Sequence, residues 1–90
     1  MEFVINEIEE DDKEYLYLSL DDMDSDNFLL TGIEIAEYLD LSYEEYSKIC
    51  KKHNGRNCLK DGDIYFKNKK DIKATIKDLE PYFIMARLME

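Results

Sequence analysis

The spacing of hydrophobic residues along this chain changes from two to about three and a half and back, and each change predicts an element. Near the start, Phe3 and Ile5 alternate with Val4, Asn6 and Ile8, and further on Leu16, Leu18 and Leu20 alternate with Tyr15, Tyr17 and Ser19. Period two puts successive side chains on opposite faces of a strand, so this segment predicts a β-hairpin with the acidic EEDDK as its exposed turn. A polar stretch, DDMDSDN, follows. FLL after it fits a short third strand or a staple against the first helix.

From residue 31 the spacing becomes helical. Thr31 precedes Glu34 by three residues and Ser42 precedes Glu45 by three. Both pairs fit the capping box, in which hydroxyl and carboxylate satisfy each other's orphan backbone N–H groups. They predict helices near 32–39 and 43–53, the first carrying Ile33, Ala36 and Leu39 on one face with Ile35 beside it, the second Tyr43, Tyr46, Ile49 and Cys50. Asn54-Gly55 closes the second helix, because both residues tolerate the left-handed conformation of a helix end. Asp61-Gly62, between Cys58-Leu59 and Ile64-Tyr65-Phe66, predicts a small hairpin. Asn68 can then cap a long helix with Ile72, Ile76 and Leu79 on one face. Pro81 is expected to kink or restart it, since proline has no N–H and crowds the preceding turn. The closing YFIMARLM is apolar on nearly all sides and is expected to be buried against the domain or against a second copy through residues 82–89.

The resulting order predicts an α+β fold in one domain: an acidic hairpin and linker over residues 1–30, a helix-helix-hairpin core over 31–66 and a C-terminal helix over 67–90. Ninety residues suffice for one core. No apolar run reaches the ~18–20 residues of a membrane span, and acids stand where a signal peptide carries bases, so a cytoplasmic protein is expected. Two cysteines, Cys50 and Cys58, fit reduced thiols rather than a disulfide framework.

Charge changes the picture most. The chain has 22 acids against 12 bases, and residues 1–46 hold sixteen of the acids with a single base, Lys13. Residues 47–90 hold eleven bases and six acids. Such bipolarity points to charged partners. Glu9, Glu10, Asp11, Asp12, Asp22, Asp24 and Asp26 offer closely spaced carboxylates, as a nucleic-acid backbone offers closely spaced phosphates, and would attract the basic surface of a nucleic-acid-binding protein. Lys48, Lys51, Lys52 and Lys60 are the candidate phosphate contacts if DNA itself is the partner.

Other chemistry is poorly supplied. Asp22, Asp24 and Asp26 have the spacing that opens a calcium loop, but Asn27 replaces the turn glycine and the closing bidentate Glu is out of register. Cys50, His53 and Cys58 lack a fourth ligand for structural zinc. No phosphate-cradling glycine loop or nucleophile motif is present, and His53 is the lone histidine. Neither catalysis nor a cofactor is expected.

Residues 31–66, through IEIAEYLDLSYEEYSKI, resemble a winged helix-turn-helix of the MerR and phage excisionase kind, with Ala36 at the helix approach and Leu39 and Leu41 about the turn. The resemblance implies a recognition helix beginning at Tyr43 and a wing at LKDGDIYF, and a DNA-binding regulator as function. Asp40 stands where that family usually has glycine. In size and charge alone the chain is similar to small acidic phage inhibitors such as anti-CRISPR proteins, which implies inhibition by an acidic, DNA-mimicking surface. A small dimeric adaptor is a third expectation.

Overall fold

A computed structural model describes residues 2–10, 12–22, 28–57 and 63–89. It is an α+β fold: an antiparallel sheet with three helices against one face. The strands are β1 (Glu2–Glu10), β2 (Lys13–Asp22), β3 (Phe28–Thr31), β4 (Arg56–Asn57) and β5 (Ile64–Phe66), and the helices α1 (Ile33–Tyr38), α2 (Tyr43–Lys52) and α3 (Lys69–Leu88). The strand order is β1-β2-β5-β4, with β3 also on β2. β2 is the hub: β1 pairs along its whole length, while β3 and β5 share its other edge, β5 opposite Leu16 and Tyr17 and β3 from Ser19 onward.

Alternation decides the two faces of this sheet. Leu16, Leu18 and Leu20 of β2 and Ile64 and Phe66 of β5 lie in the core, backed by Phe3 and Ile5 of β1. The helices contribute Ile35 and Ala36 from α1, Tyr46 and Cys50 from α2, and Ile72, Leu79 and Phe83 from α3, with Leu39 beside them. Thr75 of α3 is fully buried and donates its hydroxyl to the Asp71 carbonyl at 3.0 Å, so no polar group is stranded there.

Helix ends follow local chemistry in three of four expected places. Ser42 and Glu45 form the full capping box of α2. Asn68 caps α3, accepting from the Asp71 N–H at 2.9 Å. At the end of α2, Asn54 takes φ 65°, its N–H donates to Lys51 O and the Gly55 N–H donates to Cys50 O, which is the Schellman arrangement. The end of α1 repeats it: Asp40 adopts φ 57°, with Asp40 N–H to Glu37 O and Leu41 N–H to Ala36 O. Asp40 thus takes up the left-handed conformation that glycine would otherwise supply.

Three expectations are corrected. Thr31 does not cap α1. It is the last residue of β3, held opposite Ser19, and the chain turns into the helix at Gly32, whose φ of 51° favours glycine. Ile33 is consequently half exposed, and Ile35 takes the core position. Next, α3 runs continuously from Lys69 to Leu88 across Pro81, without a restart. Lastly, the C-terminal segment is not buried against its own domain: within it only Phe83 enters the core, while Ile84, Met85, Leu88 and Met89 are each more than half exposed in the single chain. A helix offers one stripe to a core, and Ile72, Thr75, Leu79 and Phe83 already fill it. Among the described residues no helix is long and apolar enough to cross a membrane.

Candidate functional site

The β1–β2 pairing sorts charge as it sorts hydrophobicity. Glu7 and Glu9 of β1 and Glu14 of β2 lie on the helix side of the sheet, Glu7 opposite Leu16 and the other two beyond the end of the leucine row, and all three are exposed. Glu9 stands directly opposite Glu14. Like charges facing each other across a strand pair destabilise it, so this pairing is not there for stability. Asp12, exposed with φ 61°, forms the turn beside them. Glu7 is the acid with a basic partner, Lys69 Nζ at 3.6 Å. A second acidic group, Glu34 and Glu37 of α1, Asp40, and Glu44 and Glu45 of α2, is exposed about the α1–α2 turn.

Of the acidic residues predicted from sequence, Glu9 and Asp12 are thus at the hairpin end, with Glu10 closing β1 opposite Lys13. Asp22 ends β2 opposite Phe28, at the far end of the strand, so the structure does not bring it to the others. Asp11, Asp24 and Asp26 lie outside the described residues, as does Lys60. The calcium-loop reading therefore falls largely outside them too. Among the described residues no cluster of histidine, cysteine and acid side chains is arranged to hold a metal ion.

Lys48, Lys51 and Lys52 are exposed on α2, but two of them have acidic neighbours. Lys48 Nζ lies 3.8 Å from Glu44 one turn earlier, and Lys52 Nζ lies 3.6 Å from Asp78 of α3. Asp78 also bonds His53 Nε2 at 2.7 Å, joining the end of α2 to the middle of α3. The bond from His53, with Lys52 nearby, holds the Asp78 carboxyl below its ordinary 3.8. A carboxyl lowered in the folded state contributes stability above its unfolded value, and that contribution is lost as pH falls through the folded one. Asp78→Asn is therefore expected to lower the urea midpoint at neutral pH, with the gap to wild type closing as pH falls below the ordinary 3.8 and through the lowered range of the folded carboxyl. A gap constant across that range would show that the ion pair contributes nothing.

Cys50 is fully buried and burial pushes its thiol up to about 12, so it is a packing residue rather than a nucleophile. The neighbouring Tyr46 hydroxyl is raised further, by burial first.

The outward face of the sheet holds a feature that the sequence reading missed. A groove of about 640 Å³ is lined by Lys13, Tyr15, Arg56, Asn57, Tyr65 and Lys67, with Glu14 at its edge. The signal was present in the alternation: Lys13, Tyr15 and Tyr17 have the opposite parity to the buried leucines at 16, 18 and 20. Their meeting with Arg56 and Tyr65 required the strand order. At the other end of the molecule, Tyr82, Met85 and Met89 border a second groove, of about 530 Å³, against Tyr38, Leu39 and Leu41.

No protein-family model matches the chain, and no curated protein and no solved structure matches it.

Proposed function

We propose that this protein acts by binding rather than catalysis, as an inhibitor or modulator that docks its acidic half on the basic surface of a nucleic-acid-handling protein. The observation that carries this reading is the acid at the hairpin end, which has no basic partner among the described residues: Glu9 opposite Glu14 with Asp12 beside them, a repulsive arrangement that costs stability. Carboxylates so placed imitate the charge spacing of a phosphate backbone and speed encounter with a cationic cleft. A phage or mobile-element inhibitor fits this size and charge. The exposed apolar residues of 82–89 offer further contact area to the target or to a second copy.

The helix-helix-hairpin order of α1, α2, β4 and β5 supports the winged helix-turn-helix as the scaffold, and with it the second reading, a DNA-binding regulator. Against that reading, the first turn of α2 presents Glu44 and Glu45, and Lys48 and Lys52 are partly neutralised by acids.

The test uses the immobilised protein and a nuclease-treated cell extract, with elution by duplex DNA. The expected result is retention of nucleic-acid-binding proteins that duplex DNA displaces, and loss of that retention in Glu9→Lys/Asp12→Lys. Equal retention by the charge-reversed variant would sink the proposal. Salt-sensitive binding of random duplex DNA to the protein itself would favour the regulator.

A further inference from the structure

We propose that the outward face of the sheet binds single-stranded nucleic acid, its bases stacking on Tyr15 and Tyr65 and its phosphates held by Lys13, Arg56 and Lys67. This goes beyond the acidic docking surface, whose Glu14 lines the groove but is assigned no contact with the ligand.

Placement carries the first part of the argument. Strand alternation sends Lys13, Tyr15 and Tyr17 of β2 to the face opposite the leucine core. Tyr17 pairs with Tyr65 of β5, and Tyr65 pairs in turn with Arg56 of β4, so one row across three strands reads tyrosine, tyrosine, arginine. Lys67, two residues beyond Tyr65, continues on the same face. The Tyr65 ring centroid is 6.2 Å from that of Tyr15 and 6.0 Å from that of Tyr17, tilted in the first case and edge-on in the second. These rings are only half buried, since the core residues of β2 and β5 belong to the other face. They form a sheet-borne aromatic surface beside an open groove.

Charge carries the second part. The protein has a net charge of −10, yet three of its cations converge on this groove. Lys13, Arg56 and Lys67 are exposed, and none forms an ion pair with another described residue, whereas Lys48, Lys52 and Lys69 all do. Exposed cations around partly exposed aromatic rings recognise a ligand that has both a π-face and a phosphate, which is a nucleotide unit. A single strand fits better than a duplex for two reasons. Its bases can leave their neighbours and lie on the tyrosines, and its lower charge density suffers less from Glu14 at the groove edge and from Glu9 opposite it.

The experiment is fluorescence anisotropy of a labelled 12-nucleotide thymidine strand with the whole protein at about 50 and 200 mM salt, beside a 12-base-pair duplex and a mononucleotide competitor. The expected result is salt-sensitive strand binding at least roughly tenfold tighter than duplex binding. Tyr15→Ala should weaken it roughly tenfold, while Tyr15→Phe, which keeps the stacking face, stays within about threefold. Arg56→Glu, at an exposed position outside the core, should also weaken binding and flatten the salt dependence, which covers the case of Tyr15→Ala failing to fold. Wild-type binding by Arg56→Glu, equal affinity for strand and duplex, or no binding at the lower salt would each overturn the proposal. A mononucleotide that binds as tightly as the strand would overturn it in favour of a free nucleotide. Because Arg56→Glu leaves Glu9 and Asp12 intact, its failure here is separable from failure of the acidic docking surface.

Discussion

Replacing Phe66 with alanine is expected to cost about 3–5 kcal/mol, the range for truncating a fully enclosed phenylalanine. Phe66 is 1 % exposed and is the largest side chain completely enclosed by the protein. It pairs with Leu16 across the β2–β5 junction and faces the three helices, so its ring sits where the sheet's shared edge meets the helical layer. A chain of this length is stable by about 5–13 kcal/mol in all, so one substitution would remove roughly a quarter or more of the total. Urea unfolding followed by far-ultraviolet circular dichroism should show the midpoint falling steeply with an unchanged slope. Lys67→Ala, one residue along on the exposed face, should change stability by no more than about 0.5 kcal/mol. A loss under about 1 kcal/mol for Phe66→Ala would mean that β5 does not lie over the core as described.

Gly55→Ala is expected to destabilise by about 1–3 kcal/mol, a cost of overpacking rather than of lost contact. A methyl group there would sit 2.7 Å from Ile64 Cγ2 and 2.8 Å from the Cys50 carbonyl oxygen. The carbonyl cannot move away cheaply, because it accepts the Gly55 N–H at 2.9 Å and so closes the C-terminus of α2. Trimming Ile64 would relieve only half of the clash. The same urea titration decides the matter: an alanine variant as stable as wild type would show that α2 does not end tightly against β5. The consequence reaches the outward face, since Gly55 precedes Arg56 and a shifted helix end would displace that guanidinium from the groove.

The contrast between these two positions marks how far the sequence could be read. That Asn54-Gly55 ends a helix was legible, because the motif is completed by hydrogen bonds within six residues. That Gly55 is also where β5 presses on α2 was not, because the meeting of Ile64 with Gly55 depends on the β4–β5 register and on how that pair packs against the helix. Thr31 teaches the same lesson in reverse. Its spacing to Glu34 satisfies the capping rule as well as Ser42 and Glu45 do, yet β3 holds it opposite Ser19 and the rule is overridden. A local preference worth about 1 kcal/mol yields to a strand pairing that also packs Leu30, partly buried, against the core.

What the sequence determined by itself were features settled by neighbours along the chain: the leucine face at 16, 18 and 20, the capping box at Ser42 and Glu45, the Asn68 cap, the stripe of α3 and the crowding of acid into the first half. Each depends on strand or helix periodicity or on bonds spanning three to five residues, so the order of residue types suffices. Tertiary structure decided what depends on which strands share an edge. It set Glu9 against Glu14, separated Asp22 from the hairpin end, left most of the C-terminal apolar residues outside the core, and brought Tyr15, Arg56, Tyr65 and Lys67 together across some fifty residues of chain. Those outcomes arise from competition for one side of β2 and one stripe of α3, which only the folded chain resolves.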